Sequence, residues 1–88
     1  MTIKYHKAFS KNYKKRIAPN PKLVKQFKSQ LTIFLENPSD AKLRDHTLTG
    51  KKKNFRAFSI TGDIRVIYRI VDDDLGLYVI GSHNQVYY

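Results

Sequence analysis

The chain has 88 residues, with 17 Lys plus Arg against 7 Asp plus Glu, a formal net charge of +10 and no cysteine. That length suits a single domain, 1–88, with one modest core, and the missing cysteines exclude a disulfide framework and any thiolate metal site. No apolar run approaches the ~18 residues of a membrane span and no apolar signal segment opens the chain, so a cytoplasmic protein with no membrane partner is expected.

The charge excess calls for an anionic partner. Nucleic acid is the commonest; an acidic protein or an anionic membrane surface is the alternative. No long block of like charge or low-complexity tail is present, so the charge belongs to a folded surface.

Thr2-Ile3-Lys4-Tyr5 alternates polar and apolar residues, as a short first strand does. Residues 8–17 then place Phe9, Tyr13 and Ile17 at steps of four, one apolar stripe on a helix. After Pro19, Asn20 reads as an N-cap with Pro21 at the first helical position. Leu23, Val24, Phe27, Leu31, Phe34 and Leu35 recur at helical spacing up to Asn37-Pro38. The two helices form a hairpin, and their lysines read as a solvated face or as a phosphate-facing surface.

Residues 39–50 connect the helices to the sheet, with Leu43 and Leu48 as anchors. Asp45-His46 lies between those anchors, so that Asp45 could tune or orient the imidazole. Lys51, Lys52 and Lys53 follow as a landing site for phosphates or as a solvated loop. Phe55 to Ile60 and Ile64 to Val71 are strands joined at Thr61-Gly62, with Gly62 able to take positive φ. Pairing Ile60 with Asp63 would bring Arg56 and Arg65 to one face as two phosphate-binding forks; a slip of one residue would separate them. Asp72 to Asp74 is a second hairpin turn, without the ligand spacing of a calcium loop. Leu75 to Ile80 is a nearly continuous apolar strand ending in Gly81-Ser82-His83, and 84–88 is a last short strand or an ordered tail.

The three histidines, His6, His46 and His83, lack metal-ligand spacing and an accompanying carboxylate pair, and no nucleophile elbow is present. The residue types suit RNA cleavage without a metal or other cofactor. Attack of a ribose 2′-OH on its own phosphate needs a base, an acid and cations for the developing charge. His46, His83, Arg56, Arg65 and Tyr87 are of the right kinds, with tyrosine able to stack a splayed base.

Asp45-His46-x-Leu-x-Gly, then Phe55-Arg56, then Gly62-Asp63-Ile64-Arg65-Val66-Ile67-Tyr68, then Ile80-Gly81-Ser82-His83 and Tyr87 resemble, in order and spacing, the RelE/YafQ-type toxins of bacterial toxin–antitoxin pairs, and the YafQ-like branch above all. The resemblance spans nearly the whole chain. It implies an α+β fold in the order β-α-α-β-β-β, two N-terminal helices packed on a twisted antiparallel sheet. It also implies a ribosome-dependent mRNA interferase that cuts mRNA in the ribosomal A site, contacts rRNA and is neutralised by a cognate antitoxin.

On this resemblance His83 is the general acid, His46 a candidate base, Asp63 an orienting or activating group, Arg65 a transition-state cation and Tyr87 the stacking aromatic. Arg56 is matched by position alone. Some YafQ-like members carry an acidic residue and a histidine where this chain has Ala57 and Ser59. Two other functions share the features: a ParE-type toxin that binds gyrase without turnover, and a basic RNA-binding domain.

Overall fold

The computed structural model describes residues 1–48, 50 and 54–87. Its elements run β1 (Thr2–Tyr5), α1 (Lys7–Asn12) continued by a π-helical turn (Tyr13–Ile17), α2 (Pro21–Glu36), a 3₁₀ turn (Ala41–Leu43), β2 (His46–Thr47), β3 (Arg56–Ser59), β4 (Ile64–Val71), β5 (Asp74–Ser82) and α3 (His83–Tyr87). The strands form one sheet in the order β1-β5-β4-β3-β2. The α+β layering is the expected one. The sheet is mixed, however, because β1 pairs with β5 in parallel while the other three pairings are antiparallel.

The N-terminal half follows its local signals. The Asn20 side chain accepts from the backbone N–H groups of Lys22 and Leu23 at 3.1 and 3.3 Å, and Pro21 opens the helix. Phe9, Ile17, Phe27 and Phe34 are buried against Phe58, Val66, Tyr68, Leu75, Leu77 and Ile80. Phe34 stacks on Phe58 at 5.0 Å and meets Tyr68 edge-on at 4.8 Å. Leu43 and Leu48 are buried as expected, whereas Leu35 is exposed, at the margin of a stripe centred on Phe27 and Phe34. Gln30 ties α2 to the sheet, its Nε2 donating to the carbonyls of Lys42 and Ser59.

The β3–β4 hairpin departs from the two-residue turn. Ser59 pairs with Arg65 and Arg56 with Tyr68, one residue out of the expected register. The cause is Thr61, whose Oγ1 accepts from the N–H groups of Asp63 and Ile64 and props open a four-residue connection. Gly62 is not in the left-handed region. The β4–β5 turn is tight. Asp72 and Asp73 take φ of 50° and 66° between the paired Val71 and Asp74, values that aspartate tolerates and that match the twist of the strands.

The chain end is a helix, not the strand or tail expected of it. Ser82 Oγ accepts from the Gln85 N–H at 3.4 Å, and Gln85 Oε1 accepts from the Ser82 N–H at 2.7 Å. These reciprocal bonds are a capping box, legible in the sequence as Ser82-x-x-Gln85. Gly81 makes room for the helix, since a Cβ there would meet Gln85 Oε1 at 2.7 Å. α3 thereby lies on the sheet face opposite α1 and α2, and Val86 is buried with Leu48, Ala57 and Ile67 in a second, smaller core.

Candidate active site

Strand alternation assigns each charged residue to a face. On the face away from α1 and α2, His46 pairs with Ala57, Ala57 with Ile67, and Ile67 with Val79. The next row on that face is Ser59, Arg65 and Gly81, and one residue past Ser82 the chain delivers His83 at the first turn of α3. His46 and His83 therefore lie at diagonal corners of one sheet surface, three strand spacings of ~4.8 Å across and four residues of ~3.3 Å along, roughly 20 Å between backbones. Arg65 lies between them.

Both imidazoles are exposed. His46 Nδ1 lies 3.0 Å from the Arg44 carbonyl. A carbonyl only accepts, so Nδ1 carries the proton of this bond and Nε2 is the basic nitrogen of the neutral ring. Arg44, at φ 49°, turns the chain so that its carbonyl meets the ring. Arg65 is half-buried, its Nη1 donating to the carbonyls of Thr61 and Gly62 at 3.0 and 2.9 Å. These bonds lock the guanidinium over the turn, and Nε and Nη2 take no hydrogen bond among the described residues. Asp63 is exposed two residues earlier in the same turn and forms no ion pair among the described residues.

Arg56 is not part of this group. The observed register turns it toward the helix-covered face, so it does not form a pair of forks with Arg65. Its Nε donates to Asp45 Oδ1 at 2.6 Å, and the Tyr68 hydroxyl donates to Asp45 Oδ2. The Asp45 side chain is only 9% exposed. It bonds Arg56 and Tyr68, whereas the neighbouring His46 takes its ring geometry from Arg44, because consecutive strand residues point to opposite faces. The hydrogen bond to Asp45 raises the Arg56 pKa, and burial, then the bond to Asp45, raises that of Tyr68.

Lys51, Lys52 and Lys53 lie outside the described residues, as does the side chain of Tyr87; its backbone closes α3. No group of three His, Cys, Asp or Glu residues is gathered for a metal ion among the described residues, and none of their helices is long and apolar enough to cross a membrane. Two features escaped the residue-by-residue reading: the role of Tyr68 in holding Asp45, which needs the register, and the Ser82–Gln85 box that orients α3, which was visible as a motif.

The family model described as a bacterial toxin of type II toxin-antitoxin system, YafQ, matches residues 1–88. Among solved structures the chain is similar to YafQ from E. coli, with 25% identity, a TM-score of 0.83, and 98% of this chain and 97% of that one covered. That protein has also been solved in the DinJ-YafQ toxin-antitoxin complex. A metal-bound toxin from Helicobacter pylori is 30% identical, with a TM-score of 0.76 and 99% of each chain covered. A YoeB/ParE toxin from Agrobacterium tumefaciens shares the fold, with 15% identity, a TM-score of 0.81, and 94% of this chain and 99% of that one covered. No curated protein sequence matches significantly.

Proposed function

The chain belongs to the YafQ family of bacterial type II toxins, and from that premise we propose that it is a cytoplasmic, ribosome-dependent mRNA interferase. The observation that supports this most is the placing of His46 and His83 on either side of one sheet face with Arg65 between them. A toxin that only bound a protein partner would have no need of an acid and a base facing a shared cation.

In this reading a ribose 2′-OH gives its proton to His46 Nε2 and its oxygen attacks the adjacent phosphorus. The phosphorane charge meets Nε and Nη2 of Arg65, which is already held in place by the turn and so reorganises little. The P–O5′ bond breaks, His83 protonates the leaving oxygen, and a 2′,3′-cyclic phosphate remains. The step needs no metal or other cofactor. Asp63 acts as an orienting group beside the phosphate, Tyr87 stacks a base, and Lys51, Lys52 and Lys53 contact the backbone of mRNA or rRNA. The net charge of +10 serves two partners: ribosomal RNA in the active state and a cognate antitoxin with an acidic segment at rest, as DinJ accompanies YafQ in E. coli.

Expression of wild type and His83→Ala in bacterial cells, with primer extension on cellular mRNA, tests the proposal. Growth arrest with new in-frame 5′ ends, both reduced by about 10²- to 10⁴-fold in His83→Ala, is the expected result. Arrest that persists in His83→Ala without new ends overturns it; loss of supercoiling activity alongside would make the protein a gyrase binder instead.

A further inference from the structure

Beside the candidate site, on the same face, lies an aromatic shelf that the cleavage step does not use. β5 bulges where Val79 pairs with Ile67 and Leu77 with Tyr68, leaving Tyr78 unpaired. Tyr78 and Val79 consequently both come to the site face. The Tyr78 ring stacks on His6 at 3.8 Å and 19°, and meets Phe55 at 4.9 Å and 87°. Phe55, Ile67, Tyr78 and Val79 line an open cavity of about 200 Å³. Its floor, Ile67 and Val79, continues the row that begins at His46.

Two further details fit the shelf to a ligand. Gly76 lets the rings lie flat, since a Cβ there would come within 3.0 Å of Tyr78 and 3.3 Å of His6. The Arg69 guanidinium lies 5.6 Å from the Phe55 centroid and makes no ion pair among the described residues. The cavity is below the ~300 Å³ at which drug-sized pockets begin, which suits one planar ring. A planar ring stacked on aromatics, with a cation alongside for a phosphate, is how single-stranded RNA is held without pairing.

We infer that Phe55 and Tyr78, with Arg69 alongside, form a second subsite that stacks an unpaired RNA base flanking the scissile phosphate. The inference rests on the nuclease reading for the identity of the ligand. It separates binding from cleavage, because the shelf contains neither His46 nor His83.

The test uses the purified full-length protein and a 2′-O-methyl RNA oligonucleotide, which cannot be cut, carrying 2-aminopurine at each position in turn. Wild type and His83→Ala quench the probe at one flanking position with equal affinity. Tyr78→Ala weakens binding by about tenfold, Gly76→Ala by less, and Tyr78→Phe restores it, which separates stacking from misfolding. Equal quenching in wild type and Tyr78→Ala overturns the subsite. So does loss of antitoxin binding in Tyr78→Ala with RNA binding intact, since the shelf would then serve a protein side chain. Failure of the nuclease reading shows independently, as unchanged mRNA ends in His83→Ala.

Discussion

The two faces of the sheet treat their charges in opposite ways. Beneath α1 and α2 the sheet buries Phe58, Val66, Tyr68, Leu77 and Ile80, and the carboxylate at its edge is closed off by Arg56 and Tyr68. On the other face the buried cluster is small, Leu48, Ala57, Ile67 and Val86, and among the described residues Arg65 and Arg69 are bound only to carbonyls or to a ring. Arg56 and Arg65 make the contrast sharpest. They lie on adjacent strands, yet one pairs its guanidinium with a carboxylate and the other, among the described residues, bonds only carbonyls through Nη1. A thin face over a thick one leaves room for substitutions on the thin side that spare the main core.

Substitutions can break that division in order of size. Phe58→Ala removes a fully buried ring between Phe34 and Tyr68 and is expected to cost about 3–5 kcal/mol, read as a large fall in Tm; a small fall would mean that the helix-covered face is not the main core. The two arginines should then part company. Arg65→Ala is expected to lower cleavage by about a hundredfold and stability by about 1 kcal/mol. Arg56→Ala should cost about 1–3 kcal/mol, less than for a fully buried pair because the guanidinium is half-exposed, with cleavage per folded molecule unchanged. Equal losses of cleavage from both would erase the distinction.

Smaller effects sharpen it. Gln85→Ala opens the capping box and should cost about 1 kcal/mol, seen as faster amide exchange confined to α3. The Tyr68 phenol is raised above its ordinary 10.0 by burial and then by Asp45. The folded chain thus keeps a proton that the unfolded chain releases above that pH. This contribution is fully present below pH 10.0 and is lost as pH rises beyond it. Tyr68→Phe should therefore cost about 1 kcal/mol near neutral pH and flatten the alkaline limb of a Tm-against-pH curve. An alkaline limb identical to wild type would show that the phenol is not protected.

Much of this was legible in order along the chain. Helical spacing and the Asn20-Pro21 start located α2, the turn residues bounded β3 to β5, and the histidines and Arg65 were identifiable by residue type. Local signals suffice where a residue's partners lie within a turn or two of it. The capping box at Ser82 was equally local and could have been read. Pairing between distant segments was not local. Strand β1 runs parallel to β5, more than 70 residues away, a pairing that no local signal near either strand specifies. The hairpin register, set by one threonine hydroxyl, decided which arginine faces the site, since a slip of one residue exchanges the faces of every side chain on a strand. The residues available for chemistry were thus determined by the sequence itself. Which of them meet was decided by tertiary pairing, because alternation turns a one-residue choice of register into a choice of face.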